Sequence, residues 1–135
     1  RVKPTDSKPA AFPNVIAAKP AELLEFLKAP SHTLRLAAQR EMLRRGPRPE
    51  WTSGLENLAA NGASLDVRTA AIFTLAQLDG AAAQPALLRL AKSAELREAA
   101  LRAYGDRLSL ADMTDAAPLA AALTDADPRV RLVSV

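Results

Sequence analysis

Apolar residues recur along this chain three and four positions apart, in segments that come in pairs and stop at glycine or proline. The first segment opens at Pro20, which suits a helix's first turn, and places Leu23, Leu24, Phe26 and Leu27 on one broad stripe before Pro30 ends it. Ser31 caps the next, which runs through Leu34, Ala37, Ala38 and Met42 to about Arg45 and stops at Gly46-Pro47. A second pair follows. Trp51, Leu55 and Leu58 share a helical face, Asn61-Gly62 breaks the chain, and Ser64 caps a long segment with Val67, Ala70, Ala71, Thr74, Leu75 and Leu78 inward, closed by Asp79-Gly80. In the third pair, Leu87, Leu88, Leu90 and Ala91 lie on the first helix. Ser93 is expected to cap the second, with Leu96, Ala99, Ala100, Ala103 and Tyr104 inward; Gly105 thins it and Leu108 continues it. Residues 109–115 read as a loop or short turn. Ala116 to Leu123 form a fourth first helix, and Asp127-Pro128 starts a last one.

Residues 1–19 break this pattern. Pro4, Pro9 and Pro13 each remove a backbone donor and restrict the residue before, so no helix holds there. The segment reads as a linker, with Phe12, Val15 and Ile16 expected to dock on the first helices. Residues 20–135 form the second unit, in four pairs over about 20–46, 47–80, 81–108 and 109–135.

The capped helices share one phrase. The cap is Ser31, Ser64, Ser93 or Asp127; three residues on comes Leu34, Val67, Leu96 or Val130; then Arg35, Arg68, Arg97 or Arg131. Two and three residues beyond each arginine stand Ala37-Ala38, Ala70-Ala71, Ala99-Ala100 and Val133-Ser134, small residues that let neighbouring helices approach closely. The arginines are 33, 29 and 34 residues apart. A two-helix period of that length is the pattern of an α-solenoid, in which each pair leaves a flank for its neighbour to cover.

Asp127-Pro-Arg-Val-Arg-Leu-Val133 resembles the HEAT repeat, and the other three copies are looser versions. The resemblance covers about residues 20–135. It implies an all-α fold, a right-handed α-α superhelix of about four helix pairs with the last one truncated. It also implies a structural ladder in which the central arginine pairs with an acid of a neighbouring repeat. Asp66, Glu95 and Asp127 stand in suitable places for Arg35, Arg68, Arg97 and Arg131, whereas the first repeat offers only Thr33. The N-terminal third, above all Ala38-Gln-Arg-Glu-Met-Leu-Arg-Arg-Gly46, is similar to a junction in large exported proteins of planctomycetes, where a propeller resembling sugar dehydrogenases leads into HEAT repeats, often with a haem domain after. That resemblance implies a periplasmic or exported setting and a dehydrogenase parent. No Cys-x-x-Cys-His is present, so the implied redox chemistry lies outside this chain.

Composition agrees with helices: alanine and leucine dominate and aromatics make up 4%. A chain of 135 residues is the size of one domain and buries roughly 70% of its unfolded surface, enough for a core without staples. The absence of cysteine excludes disulfides, thiolate metal sites and thiol nucleophiles within the chain. No run approaches 18 apolar residues, so no span of a membrane is expected. The net charge of +3 permits weak attraction to polyanions without requiring it. No signal-peptide pattern follows Arg1 and the pattern stops at Val135 inside a helix, as expected of a piece of a longer protein.

Candidate chemistry is sparse. His32 is the only histidine, with no partner set by spacing, and reads as a surface residue at a turn. Asp125 and Asp127 are too few oxygens for a calcium loop; Asp127 is read as a cap, and Asp112 and Asp115 as loop residues or caps. The five glycines read as single residues at breaks, which excludes a phosphate loop. Trp51 reads as packing, with a surface anchor as the other option. Arg40, Arg44, Arg45 and Arg48 form the densest basic cluster, either a solvated helix end or a site for phosphate or an acidic partner. Arg40, Phe73 and Arg102 each lie five past a central arginine, which turns them from the core. Phe73 is then either exposed between two arginines as a recognition spot or tucked between repeats.

Two function classes compete. A non-enzymatic protein-interaction module or spacer, monomeric and without cofactor or metal, follows from the repeats and the missing catalytic set; Arg40, Arg44, Phe73 and Arg102 are its candidate contacts. The alternative is nucleic-acid binding through the arginine-rich face, against which scarce aromatics and unclustered lysines weigh. Against a third class, a HEAT-type lyase or enzyme accessory, weigh the lone histidine and the absence of cysteine.

Overall fold

In a computed structural model of the chain, residues 11–106 and 115–134 are described, and all regular structure among them is helical. The helices are α1 (Pro20–Leu27), α2 (His32–Arg45), α3 (Pro49–Asn61), α4 (Leu65–Asp79), α5 (Gln84–Leu90), α6 (Arg97–Gly105), α7 (Ala117–Ala122) and α8 (Pro128–Leu132). Their ends follow local chemistry. Ser31 Oγ accepts from the Leu34 amide at 3.4 Å, Ser64 Oγ from Val67 at 3.3 Å and the Asp127 carboxylate from Arg129 at 2.8 Å, each satisfying an amide that has no partner within its helix. Gly46 and Gly80 end α2 and α4 with φ of 79° and 55°, a conformation that costs a residue with a Cβ about 1 kcal/mol or more.

Two expected boundaries fail. Ser93 caps nothing: residues 91–96 are turns, Leu96 takes the cap position without a side-chain bond, and α6 starts at Arg97. Burial of Leu96 holds that turn in place of a cap. Gly54 stands at no break but inside α3, where a Cβ would lie 2.8 Å from Leu24 Cδ1, so the bare backbone lets α1 and α3 approach. The expected continuation to Leu108 and the loop with Asp112 lie outside the described residues.

The helices pack in order. α1 lies on α2, α3 on α4 and α5 on α6; the second helices then touch one another, α2 on α4, α4 on α6 and α6 on α8, as do α1 with α3 and α3 with α5. The main core runs from Val15 to Tyr104, and a small second cluster joins Leu101, Ala122 and Val130. Trp51 is wholly buried rather than an anchor on the surface. Its Nε1 donates to the Pro20 carbonyl at 3.1 Å, and the Arg48 guanidinium lies 5.4 Å from its ring centroid. Ala38, Ala71 and Ala100, the second residue of each alanine pair, have no exposed surface.

The end of the proline-rich stretch is ordered. Residues 15–17 form a short 3₁₀ turn whose start is capped by Asn14. Val15 and Ala18 are buried against α2, but Phe12 and Ile16, also expected to dock, point outward. Arg45 makes the attachment: Nη1 donates to the Ala18 carbonyl at 2.8 Å and Nη2 to Ile16 at 2.9 Å.

Candidate functional site

Each arginine of the repeated phrase is bonded on its own side to the end of the preceding helix or the loop after it. Arg35 Nη1 donates to the carbonyls of Ala29 and Pro30, both at 2.9 Å; Arg68 Nε to Ala59 at 3.2 Å; Arg97 Nε to Ala91 at 3.1 Å; and Arg131 Nη1 to Asp125 and Ala126 at 2.8 and 3.1 Å. Carbonyls at a helix end lack intrahelical partners and carry partial negative charge, so a guanidinium serves both needs. The other edge reaches forward to the following pair: Arg35 to Asp66 at 3.2 Å, Arg68 to Glu95 at 2.6 Å, and Arg97 to Asp125 at 2.9 Å.

The third acid is therefore Asp125, not Asp127. Asp127 is occupied as the cap of α8, and its own amide donates to Asp125 Oδ1 at 2.8 Å. That amide, with Arg97 adding to it, holds the Asp125 carboxyl below its usual range. Arg131 has no carboxylate partner among the described residues. The sequence carried the signal for Asp125, since an Asp two residues before a capping Asp offers its carboxylate to the cap's own amide.

Packing α2 against α4 leaves a groove of about 470 Å³ between them, with His32, Leu36, Gln39, Leu65, Ala70 and Phe73 among its walls. Phe73 is half-buried: it packs on the core, lines a small crevice together with Ala103 and Tyr104 of α6, and also lines the groove. Phe73 is thus neither fully exposed between two arginines nor fully tucked between repeats. Gln39 Nε2 donates to Gln77 Oε1 at 3.3 Å across the two helices, and Leu65 stands exposed at the rim. Its lining mixes apolar side chains, Leu36, Leu65, Ala70 and Phe73, with polar ones such as His32, Gln39 and Thr69.

The basic cluster is divided by function. Arg44 grips Glu41 through Nε and Nη2, at 2.8 and 2.6 Å; Arg45 Nε reaches the same carboxylate at 2.7 Å while its other nitrogens hold residues 16 and 18; and Arg48 lies over Trp51. Glu41 is the residue that sequence reasoning missed, although its spacing of three and four to Arg44 and Arg45 is that of helix ion pairs. The hydrogen bonds from Arg44 and then Arg45 bring its carboxyl down to about 2. Arg102 pairs with Glu98 of its own helix at 2.6 Å, and Arg40 is exposed with no ion pair among the described residues. The candidate contacts do not form one stripe of free cations around Phe73.

His32 lines the groove beside Leu36 and Gln39. Among the described residues no three His, Asp or Glu side chains group closely enough to hold a metal ion, and no helix is long and apolar enough to cross a membrane. No family model, no curated protein and no solved structure matches the chain.

Proposed function

We propose that this chain is a HEAT-like right-handed α-α superhelix acting as a non-catalytic protein-interaction or spacer module of a larger protein. The observation that carries the reading is the repeated arginine: in three successive pairs it joins the end of its own first helix to an acid of the pair that follows. Such links make a rigid array of units that each contact their neighbours, and arrays of this kind serve as extended binding surfaces. The groove beside Phe73 is the face on which a partner segment docks. A dehydrogenase parent of the exported type fits the same reading, with its chemistry in other domains. Nucleic acid is the weaker alternative, because most of the arginines are spent on carboxylates or carbonyls within the fold.

The test is site-directed photo-crosslinking in the full-length protein. A crosslinker at Leu65, on the groove rim, captures a partner that one at Glu56, on the opposite row of helices, does not. Equal capture at both positions, or none at Leu65, sinks the reading.

A further inference from the structure

A second surface lies away from the groove of α2 and α4, where the N-terminal segment crosses α2. Phe12, Ile16, Ala37, Arg40 and Arg44 line one depression of about 440 Å³ there. Phe12 is 56% exposed and Ile16 74%, so two of the large apolar side chains left uncovered in the molecule stand side by side. Exposure of this kind, rimmed by charge, marks a surface that another molecule covers.

The charge of the depression specifies what that molecule carries. Two guanidiniums, Arg40 and Arg44, and one carboxylate, Glu41, line it, and the Glu41 oxygens are already taken by Arg44 and by Arg45 from outside the depression. Arg45 is consumed wholly within the fold. Arg40 has no carboxylate partner among the described residues, and the Arg44 side chain is 64% exposed, with Nη1 left over from its fork on Glu41. The chain's first ten residues do not complement this charge, since they carry Arg1, Lys3 and Lys8 against Asp6 alone.

We infer that this depression docks an acidic peptide segment with apolar anchors, its carboxylates on Arg40 and Arg44 and its apolar side chains on Phe12 and Ile16. The segment on which Phe12 and Ile16 sit is pinned by the Arg45 fork and by buried Val15 and Ala18, so the platform is formed before the partner arrives. The site does not depend on the groove beside Phe73 and stands if that reading fails.

The probe is a fluorescent synthetic peptide of glutamates interrupted by leucines, followed by anisotropy at low and at moderate salt. The full chain binds it, and added salt weakens the binding. Arg40→Glu weakens it roughly tenfold or more, whereas Arg129→Glu, the same charge change on exposed α8, leaves it within about twofold. Phe12→Ser weakens it with the helical circular dichroism intact, and an all-glutamate peptide binds less well than the leucine-bearing one. The assignment is overturned by equal losses in Arg40→Glu and Arg129→Glu, by no binding at low salt, or by equal binding of the lysine counterpart. A single-stranded oligonucleotide that binds more tightly than the peptide with the same Arg40 dependence overturns it in favour of nucleic acid. Self-association abolished by Phe12→Ser overturns it in favour of a second copy of the chain.

Discussion

α4 and α6 begin from the same phrase and end in different surroundings. Ser64 caps α4, which then runs fifteen residues to a left-handed glycine. Ser93 caps nothing, and α6 has nine residues. The large side chains with no exposed surface, Trp51, Leu23, Leu27, Met42, Leu55, Ile72 and Leu75, surround α4 and its neighbours, whereas α6 presents mainly alanines and meets the smaller cluster of Leu101, Ala122 and Val130. The arginines follow suit: the Arg35 side chain, in the first half, is 7% exposed, and that of Arg97 is 33%. One local phrase thus supports a strong join where bulky residues fill the space and a weaker join where they do not. Each fully buried leucine adds about 2 kcal/mol, so this difference outweighs any difference in caps.

The largest test of that contrast is a buried charge. Ala71→Glu puts a carboxylate at the closed contact of α4 and is expected to cost several kcal/mol, enough to unfold a domain of this size. The same change at Ala122, in the small second cluster, is expected to cost less than half as much because the short α7 can move aside. Equal losses of melting temperature would erase the distinction between the two halves.

The arginine joins come next. Arg35→Met strands the Ala29 and Pro30 carbonyls and removes charged hydrogen bonds, for about 2–3 kcal/mol in chemical denaturation. Arg97→Met, at a wetter site, is expected to cost about 1 kcal/mol. Asp66→Ala is expected to cost well under 1 kcal/mol, since its side chain is 77% exposed and the pair is screened by water. A loss for Asp66→Ala as large as for Arg35→Met would show that the ion pair, rather than the carbonyl bonds, does the joining.

Two glycines sharpen the contrast by sign. A Cβ at Gly62 would lie 2.7 Å from the Leu58 carbonyl and 3.0 Å from Arg68 Cγ, so Gly62→Ala is expected to lose about 1–2 kcal/mol and loosen the Arg68 join. At Gly105, in the last turn of α6, a Cβ would meet among the described residues only Leu119, Cδ1 at 3.4 Å and Cδ2 at 4.0 Å, and Gly105→Ala is expected to gain about 0.5 kcal/mol. Thermal melts of the two variants should shift in opposite directions.

The last test is read from the pH dependence of stability. The Glu41 carboxyl ordinarily titrates at 4.5 and is held at about 2 in the fold. Its contribution is therefore complete above about pH 4.5 and lost as the pH falls toward 2. Glu41→Gln should lower the melting temperature at neutral pH and flatten its decline through that window. An unchanged slope would mean that other carboxylates govern acid unfolding.

Much of this was legible in the sequence. Pro20, Pro49 and Pro128, the caps Ser31, Ser64 and Asp127, and the stops Gly46 and Gly80 act through their nearest neighbours, and local chemistry does not need a fold to be read. The failures share one cause. Helical spacing alone places Ile72 off the inward face of α4, yet it is fully buried, because α4 is covered by α2, α3 and α6 and has little outer face left. Gly54 reads locally as a break, but its role is the close approach of Leu24 from another helix. Asp127 was assigned to the ladder because it fell in the expected place, but its carboxylate was already spent on a cap, and Asp125 was free to meet Arg97. Arg44 was a candidate contact, and Glu41, one turn away, takes one edge of it.

What the sequence by itself determined is the all-helical class, the starts and stops of most helices, and the recurrence of cap, aliphatic residue, arginine and small pair. Those are properties of residues within a turn or two of one another. What only the tertiary structure decided is which side chains the fold consumes: Arg35, Arg45, Arg68 and Arg97 in bonds between elements, Phe73 half in the core, and Arg40, Phe12 and Ile16 left facing water. The physical reason is that a guanidinium is free or spent according to the carbonyls and carboxylates that packing brings within about 3 Å, and those come from residues up to 33 positions away.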